Sequence, residues 1–228
     1  MSAVSRGRLA ESEEVELATG DHMTREEFHR VYAGSPEDFH AELIGGIVYV
    51  ASPLKRRHST CHALLAGLFA AYAARTPGVE VGDNATVLLG DDAEPQPDLY
   101  VRLVPECGGQ SRTTDDDYVV GAPELVAEIA HSSRAIDLHA KKDDYARYGV
   151  REYLVVSLRE GRLRWFDLRA GRELEAADDG IARLGQFPGL WVDAAALLAN
   201  DYSRLFAALE RGCATAEHAE FARRLATH

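Results

Sequence analysis

Two short apolar runs each carry one carboxylate where a buried strand ordinarily tolerates none. Asp98 opens the run QPDLYV at 96–101, and Glu128 sits inside ELVAEIA at 124–130. Short runs of this composition bounded by turn signals read as core strands. A charge inside such a strand is costly unless it is paired or holds a metal, so the fold must supply partners for both acids. A helical pattern follows over 135–148, on which Asp137, Lys141 and Tyr145 are spaced by four and share one face.

The remaining pattern alternates helices and strands. Thr24-Arg25-Glu26-Glu27 is a capping box that predicts a short helix to about Tyr32. Segments 39–44 and 47–50 flank Gly45-Gly46, a hairpin signal, because glycine supplies the positive φ such turns require. Segment 59–75, rich in Ala and Leu and stopped by Pro77-Gly78, predicts a long helix that begins just after His58. Residues 79–89 are β-rich, strands are expected at 97–102 and 124–130, and a polar loop over 105–118 separates them. After Gly149, a helix stop, 152–158 and 162–168 predict a hairpin, with a second one near 172–185. Helices are expected over 193–211 and 215–225.

This order predicts an α/β or α+β chain with one central mixed sheet flanked by helices. A mobile acidic tail is expected over 1–20, a main domain over 21–195, and a helical extension over 196–228 packed on that domain or on a partner.

A length of 228 residues, 46% hydrophobic and 27% charged, suits one sizeable globular domain. No apolar run approaches the ~20 residues of a membrane span, and the N-terminal stretch lacks the apolar core of a secretory signal. Cys61, Cys107 and Cys213 are too widely spaced for a disulfide framework or a zinc site, and they fit a reducing cytoplasm. The net charge of −12 weighs against non-specific nucleic-acid binding. Much of the acidity is peripheral, at Glu11, Glu13, Glu14, Glu16 and Asp115–Asp117. Basic residues cluster at Lys55-Arg56-Arg57-His58 and at Arg134, Lys141, Lys142, Arg147 and Arg151. Solvated surface accounts for both clusters as well as an anion site does.

If the two acid-bearing strands are neighbours, Asp98 and Glu128 can converge on a hard divalent cation such as Mg²⁺ or Mn²⁺. The Ile129 carbonyl is a further oxygen donor, and waters and phosphate oxygens complete the shell. Such an ion polarises a phosphate and acidifies a bound water. Lys141 on the facing helix would then orient the attacking water or neutralise developing charge. Glu42, in the first hairpin, would contact the metal through water or take the water's proton. Plain alternatives stay open: Glu128 as an edge residue paired with an arginine, Asp137 and Lys141 as a surface ion pair, Glu42 as an exposed strand residue, and Tyr145 as core packing.

Taken together, AELIGGIVYV (41–50), the basic turn ending in His58, EPQPDLYV (94–101), GAPELVAEIAHSS (121–133), DLHAKKDDYARYGVREYLV (137–155) and FPGLW (187–191) resemble the Uma-two family. That is a restriction-endonuclease-like family of the PD-(D/E)xK nuclease superfamily. The resemblance spans roughly 23–191 and implies a restriction-endonuclease-like core with metal-binding acids on its central strands. Asp98 matches the motif aspartate, Glu128 the motif glutamate and Glu42 an early acidic residue. The superfamily usually carries lysine two residues after the glutamate, where this chain has Ala130. The family resembled here places it on the next helix, where Lys141 matches. His58 matches a histidine typical of the family, and His58, Arg57 and Tyr145 are the implied substrate contacts. His131 stands where relatives carry small residues, and Ala41 where an aromatic is common.

The implied activity is Mg²⁺-dependent endonucleolytic cleavage of DNA, in a homodimer. The apolar faces AAALLA and RLFAAL in the C-terminal helices either pair two copies or pack on the parent domain. Two other readings remain. One is a catalytically silent fold member that binds nucleic acid or a protein partner, which the acidity favours. The other is a metal-free hydrolase with paired carboxylates, such as a glycosidase. Lys141 argues against the last, because a nearby cation keeps both acids ionised.

Overall fold

The computed structural model describes residues 16–36, 38–130 and 136–227. Helix α1 (Arg25–Tyr32) starts at the expected capping box, in which Thr24 and Glu27 bond each other's backbone N–H. The hairpin β1 (Ala41–Ile44) and β2 (Ile47–Val50) turns on Gly45 and Gly46, with φ of 56° and 76°. Residues 1–15, with Glu11, Glu13 and Glu14, lie outside the described residues. The expected tail does not extend to residue 20. Leu17 is buried with Phe28, Leu43 and Val48, and the Gly20 N–H donates to the Val48 carbonyl. An apolar side chain that finds a core docks the segment bearing it.

Helix α2 (Arg56–Ala73) begins three residues earlier than its Ala/Leu pattern suggested, so His58 lies in its first turn rather than ahead of it. The stretch 79–89 is two strands, β3 (Val79–Asp83) and β4 (Val87–Leu88), separated where Asn84 takes a φ of 51°. Strand β5 (Leu99–Leu103) starts after Pro97 and Asp98. The loop expected over 105–118 contains a short 3₁₀ turn and β6 (Arg112–Thr113). It leads to β7 (Val119–Val120) and β8 (Leu125–Glu128). Residues 131–135, with His131 and Arg134, lie outside the described residues.

The helix expected over 135–148 opens with a π-helical turn (Ile136–Lys141) before α3 (Lys142–Tyr148), which ends at Gly149 with φ 99°. Strands β9 (Glu152–Ser157) and β10 (Arg162–Asp167) form the predicted hairpin. The hairpin near 172–185 does not form. Strand β11 (Arg172–Leu174) pairs with β10, whereas β12 (Ile181–Arg183) pairs with β13 (Trp191–Asp193). One helix was expected over 193–211, but the chain breaks into α4 (Ala194–Ala199) and α5 (Tyr202–Cys213). Asn200 sits at φ 54°, a conformation asparagine tolerates, and Asp201 caps α5. Helix α6 (Ala216–Leu225) closes the chain.

The central sheet runs β11-β10-β9-β8-β5-β3. It is mixed: β8 and β9 are parallel, and the other pairs are antiparallel. Alternation along its strands divides two cores. Leu99, Val101, Leu125, Ala127, Leu154 and Val156 join one that contains α2, α5 and α6 residues such as Leu68, Leu209 and Phe221. Tyr100, Val126, Tyr153 and Val155 join the other, with Leu138 and Tyr145. Leu197, Leu205, Leu209, Phe221 and Leu225 of the C-terminal helices are therefore covered by this chain's own sheet and α2, which is the packing on the parent domain that the sequence left open. No helix among the described residues is long and apolar enough to cross a membrane. Cys61, Cys107 and Cys213 are free thiols.

Candidate active site

Strands β5 and β8 are neighbours, paired through Leu99 opposite Ala127. One further step of that register sets Asp98 against Glu128, and residues opposite each other in an antiparallel pair share a face. Proline fits just ahead of a strand, where its missing N–H breaks no ladder bond, so Pro97 delivers Asp98 to the strand end. The Asp98 N–H donates to Glu128 Oε2 at 3.4 Å, and the Ile129 N–H donates to Asp98 Oδ2 at 2.6 Å. Ile129 therefore adjoins the acid pair.

Lys141 enters from the last residue of the π-helical turn. Its Nζ lies 2.8 Å from Glu42 Oε1, 3.0 Å from Glu128 Oε1 and 4.0 Å from Asp137 Oδ1. Lys141 and Glu128 are about 5% exposed or less, so this is a buried cluster rather than a surface pair. Glu42 is held from behind by the Gln96 N–H at 2.7 Å. The Tyr145 hydroxyl donates to Glu128 Oε1 at 2.9 Å. Tyr145 is 1% exposed and sits behind the motif glutamate. The hydroxyl of Tyr153, whose ring is tilted against Tyr145, donates to the Asp137 carbonyl.

His58 reaches the same point from the first turn of α2. Its Nε2 is 3.2 Å from Asp98 Oδ1, and the side chain is largely buried. Arg57, one residue earlier, is exposed. The site thus lies at one end of the sheet, where the hairpin, α2 and α3 meet the central strands.

The electrostatics follow from that crowding. Burial pushes the Glu128 carboxyl well above the usual carboxylate range, with Asp98, Asp137 and Glu42 adding to the rise and Lys141 opposing it. Burial also disfavours the Asp98 anion, but the His58 and Ile129 donors and the Lys141 charge outweigh it and hold that carboxyl low. For Lys141, burial favours loss of the proton, yet Glu128, Glu42 and Asp137 together hold the ammonium well above its ordinary value. Lys141 is therefore a permanent cation here, not a base.

Glu42, Glu128 and Asp137 all lie within 4.0 Å of the Lys141 ammonium, and Asp98 lies beside them against His58. Among the described residues, no three His, Cys, Asp or Glu side chains converge as a ready-made ligand set. The donors present are all oxygen, and they suit an ion that completes its shell with backbone, water and phosphate oxygens.

Several participants escaped the sequence reading. His62, one helical turn after His58, donates from Nε2 to the Asp98 carbonyl at 2.9 Å and lies 3.3 Å from Asp83 Oδ1. The H-x-x-x-H spacing on a helix is the signal that could have found it. Gln96 acts through its backbone N–H, which side-chain patterning does not announce. Asp144 accepts from the Gly45 N–H at 2.7 Å and ties the hairpin turn to α3, and nothing in the local pattern announces that contact.

Comparison with curated proteins gives no match. Among solved structures, the chain is similar to one titled a putative nuclease belonging to DUF820 from Anabaena variabilis ATCC 29413. The two share 12% identity with a TM-score of 0.56, over 79% of this chain and 97% of the other. At that identity the likeness establishes the fold, a mixed sheet flanked by helices. The family model described as Uma2, putative restriction endonuclease, matches residues 25–195, which include both hairpin strands, both strand acids and the lysine. With three-quarters of its length matched, this chain belongs to the Uma2 family.

Proposed function

We propose that this protein is a Mg²⁺-dependent endonuclease that hydrolyses phosphodiester bonds in DNA. The observation that carries the reading is the convergence of Asp98, Glu128 and Lys141, with Lys141 Nζ 3.0 Å from Glu128 and the Asp98 N–H on the same carboxylate. Asp98, Glu128 and the Ile129 carbonyl would hold the ion. When bound, it polarises the scissile phosphate and acidifies a water.

The chain's own residues do the rest. Lys141, fixed as an ammonium, orients the attacking water or offsets charge on the phosphoryl oxygens. Glu42, partly exposed beside it, accepts the proton the water loses. The water oxygen bonds to phosphorus, one P–O ester bond breaks, and the leaving oxygen takes a proton from solvent. Tyr145 and His58 hold the two motif acids in place.

Cleavage of supercoiled plasmid with Mg²⁺ or Mn²⁺ tests this directly: wild type should nick, and Asp98→Ala and Lys141→Ala should not. Thermal unfolding adds a readout that does not depend on turnover, because an ion bound only by the native state must stabilise it. Wild type should gain stability with Mn²⁺ and Asp98→Ala should not.

One observation favours a second reading, a silent member that binds nucleic acid or a protein: the net charge of −12. Metal stabilisation without nicking would select it. Pairing of two copies would favour double-strand cleavage.

A further inference from the structure

Residues 51–57, from the end of β2 into the first turn of α2, are exposed without interruption. Leu54 at 67% is the most exposed large apolar residue among those described. Lys55, Arg56 and Arg57 follow it, and no carboxylate lies within ion-pair distance of any of them among the described residues. The contrast with other cations is sharp: Arg102, Arg147, Arg164, Arg183 and Arg204 each sit within 2.7 Å of an acid. Exposed arginines without an acid occur elsewhere, as at Arg159, Arg169 and Arg211, but singly. In so acidic a chain, three consecutive unneutralised cations form a local positive patch open to an anion from outside.

The same segment opens a small cavity of about 100 Å³, lined by Arg56, Arg57, Thr60, Cys61, Leu197 and Asn200 among others. Helix α2, 18 residues long, starts there without a side-chain cap and with no acid in its first turn, so its N-terminal N–H groups favour an anion. On that first turn His58, 6% exposed, has a buried Nδ1 with no partner, while its Nε2 rests on Asp98. The cavity and the acid pair also share a field. Burial pushes the Cys61 thiol up to about 11, with Asp98 adding to the rise and Arg57 opposing it.

We infer that Lys55, Arg56 and Arg57, with the cavity at the start of α2, bind a backbone phosphate of the DNA strand beside the phosphate being hydrolysed. Arg56, Arg57 and His58 all belong to the first turn of α2, and His58 touches Asp98, so the cations stand within one helical turn of the acid pair. The inference deepens the nuclease reading and rests on it for the identity of the substrate.

Binding of a fluorescent duplex is measured by anisotropy in EDTA, where no cleavage confuses the signal. The triple variant Lys55→Gln/Arg56→Gln/Arg57→Gln is compared with Arg159→Gln/Arg169→Gln/Arg211→Gln, which removes equal charge from isolated surface positions. The first should lose about tenfold or more in affinity, and the slope of log K against log salt should shrink by about one per phosphate contact removed. The second should stay within about twofold of wild type, since no contact with a phosphate is removed. All six positions are exposed, and thermal unfolding verifies that each variant folds. If the first triple does not, the single variants Arg56→Gln and Arg57→Gln, each expected to cut the slope, replace it. Equal affinities in the two triples, or wild type that binds no duplex, overturn the inference even if wild type nicks plasmid with Mn²⁺. Selective loss in the first triple sustains it even if wild type nicks nothing, an outcome that removes the nuclease reading alone.

Discussion

At the scale of single residues, Lys141 keeps the buried acids from repelling each other. Its own shift sets one sign. An amine whose native value is raised contributes stability fully below its unfolded value, near 10.4, and loses that contribution as pH rises through the native value. Lys141→Met keeps most of the volume but removes the ammonium that Glu128 and Glu42 share. Breaking a buried pair from one side costs about 3–5 kcal/mol. Without the ammonium, the Glu128 carboxyl rises further, so the native state keeps a proton that the unfolded chain has released. The deficit should therefore be larger at pH ~8 than at pH ~5, because an acid with a raised native value loses stability as pH climbs through that value. Urea unfolding at the two pH values checks this, and equal deficits would mean that Lys141 is not the counter-charge. Tyr145→Phe is subtler, since it keeps the ring beside Tyr153 and removes only the donor to Glu128. A hydrogen bond to a charged group contributes about 1.5–3 kcal/mol. Its loss should raise Glu128 and move the acid limb of metal-dependent nicking to higher pH, which a pH–rate profile would show.

At the scale of elements, the site depends on three pieces meeting: the hairpin with Glu42, the strand pair with Asp98 and Glu128, and the helix with Lys141. The sequence announced each piece separately, because local chemistry determines each. Gly45-Gly46 can only be a turn, Gly149 ends α3 in the left-handed region, and an acid in an apolar run marks a strand that needs a partner. Joints between pieces were illegible, because they depend on contacts distant in sequence. No spacing rule reveals that the Gly45 N–H, 99 positions away, donates to Asp144, or that β11 prefers the edge of β10 to β12. The breaks at Asn84 and Asn200 were missed for another reason: asparagine reaches positive φ without advertising it as glycine does. The Asp144 joint predicts a graded effect. Asp144→Ala should remove the anchor of the turn, cost about 1–2 kcal/mol in urea unfolding, and weaken nicking by loosening Glu42 against Lys141. Asp144→Asn retains an acceptor for the Gly45 N–H and should lose less on both counts. If both variants equal wild type, the hairpin is held by its own core of Leu43, Val48 and Phe28 alone.

At the scale of the whole molecule, the family match and the physical unit do not end at the same residue. The match stops at 195, and the sequence pattern suggested an extension from 196 onward. Yet Leu205, Leu209, Phe221 and Leu225 belong to the same core as Leu99 and Leu154 on the central strands. Tyr72 of α2 donates to the Pro188 carbonyl and packs on His218 of α6, whose Nε2 meets Thr76 Oγ1. The C-terminal helices therefore cover one face of the sheet and back the helix that presents His58 to Asp98. Removing residues 201–228 would take away these four buried side chains, each contributing about 1.5–3 kcal/mol of burial, and uncover the apolar residues they pack on. That loss is comparable with the entire stability of an ordinary domain, about 5–15 kcal/mol. A chain ending at residue 200 should accordingly lose its cooperative thermal transition and bind a hydrophobic dye, although every residue of the family match is still present. If it melts cooperatively within a few degrees of the full chain, the last two helices are an accessory to the sheet, and their buried faces are again candidates for a partner surface.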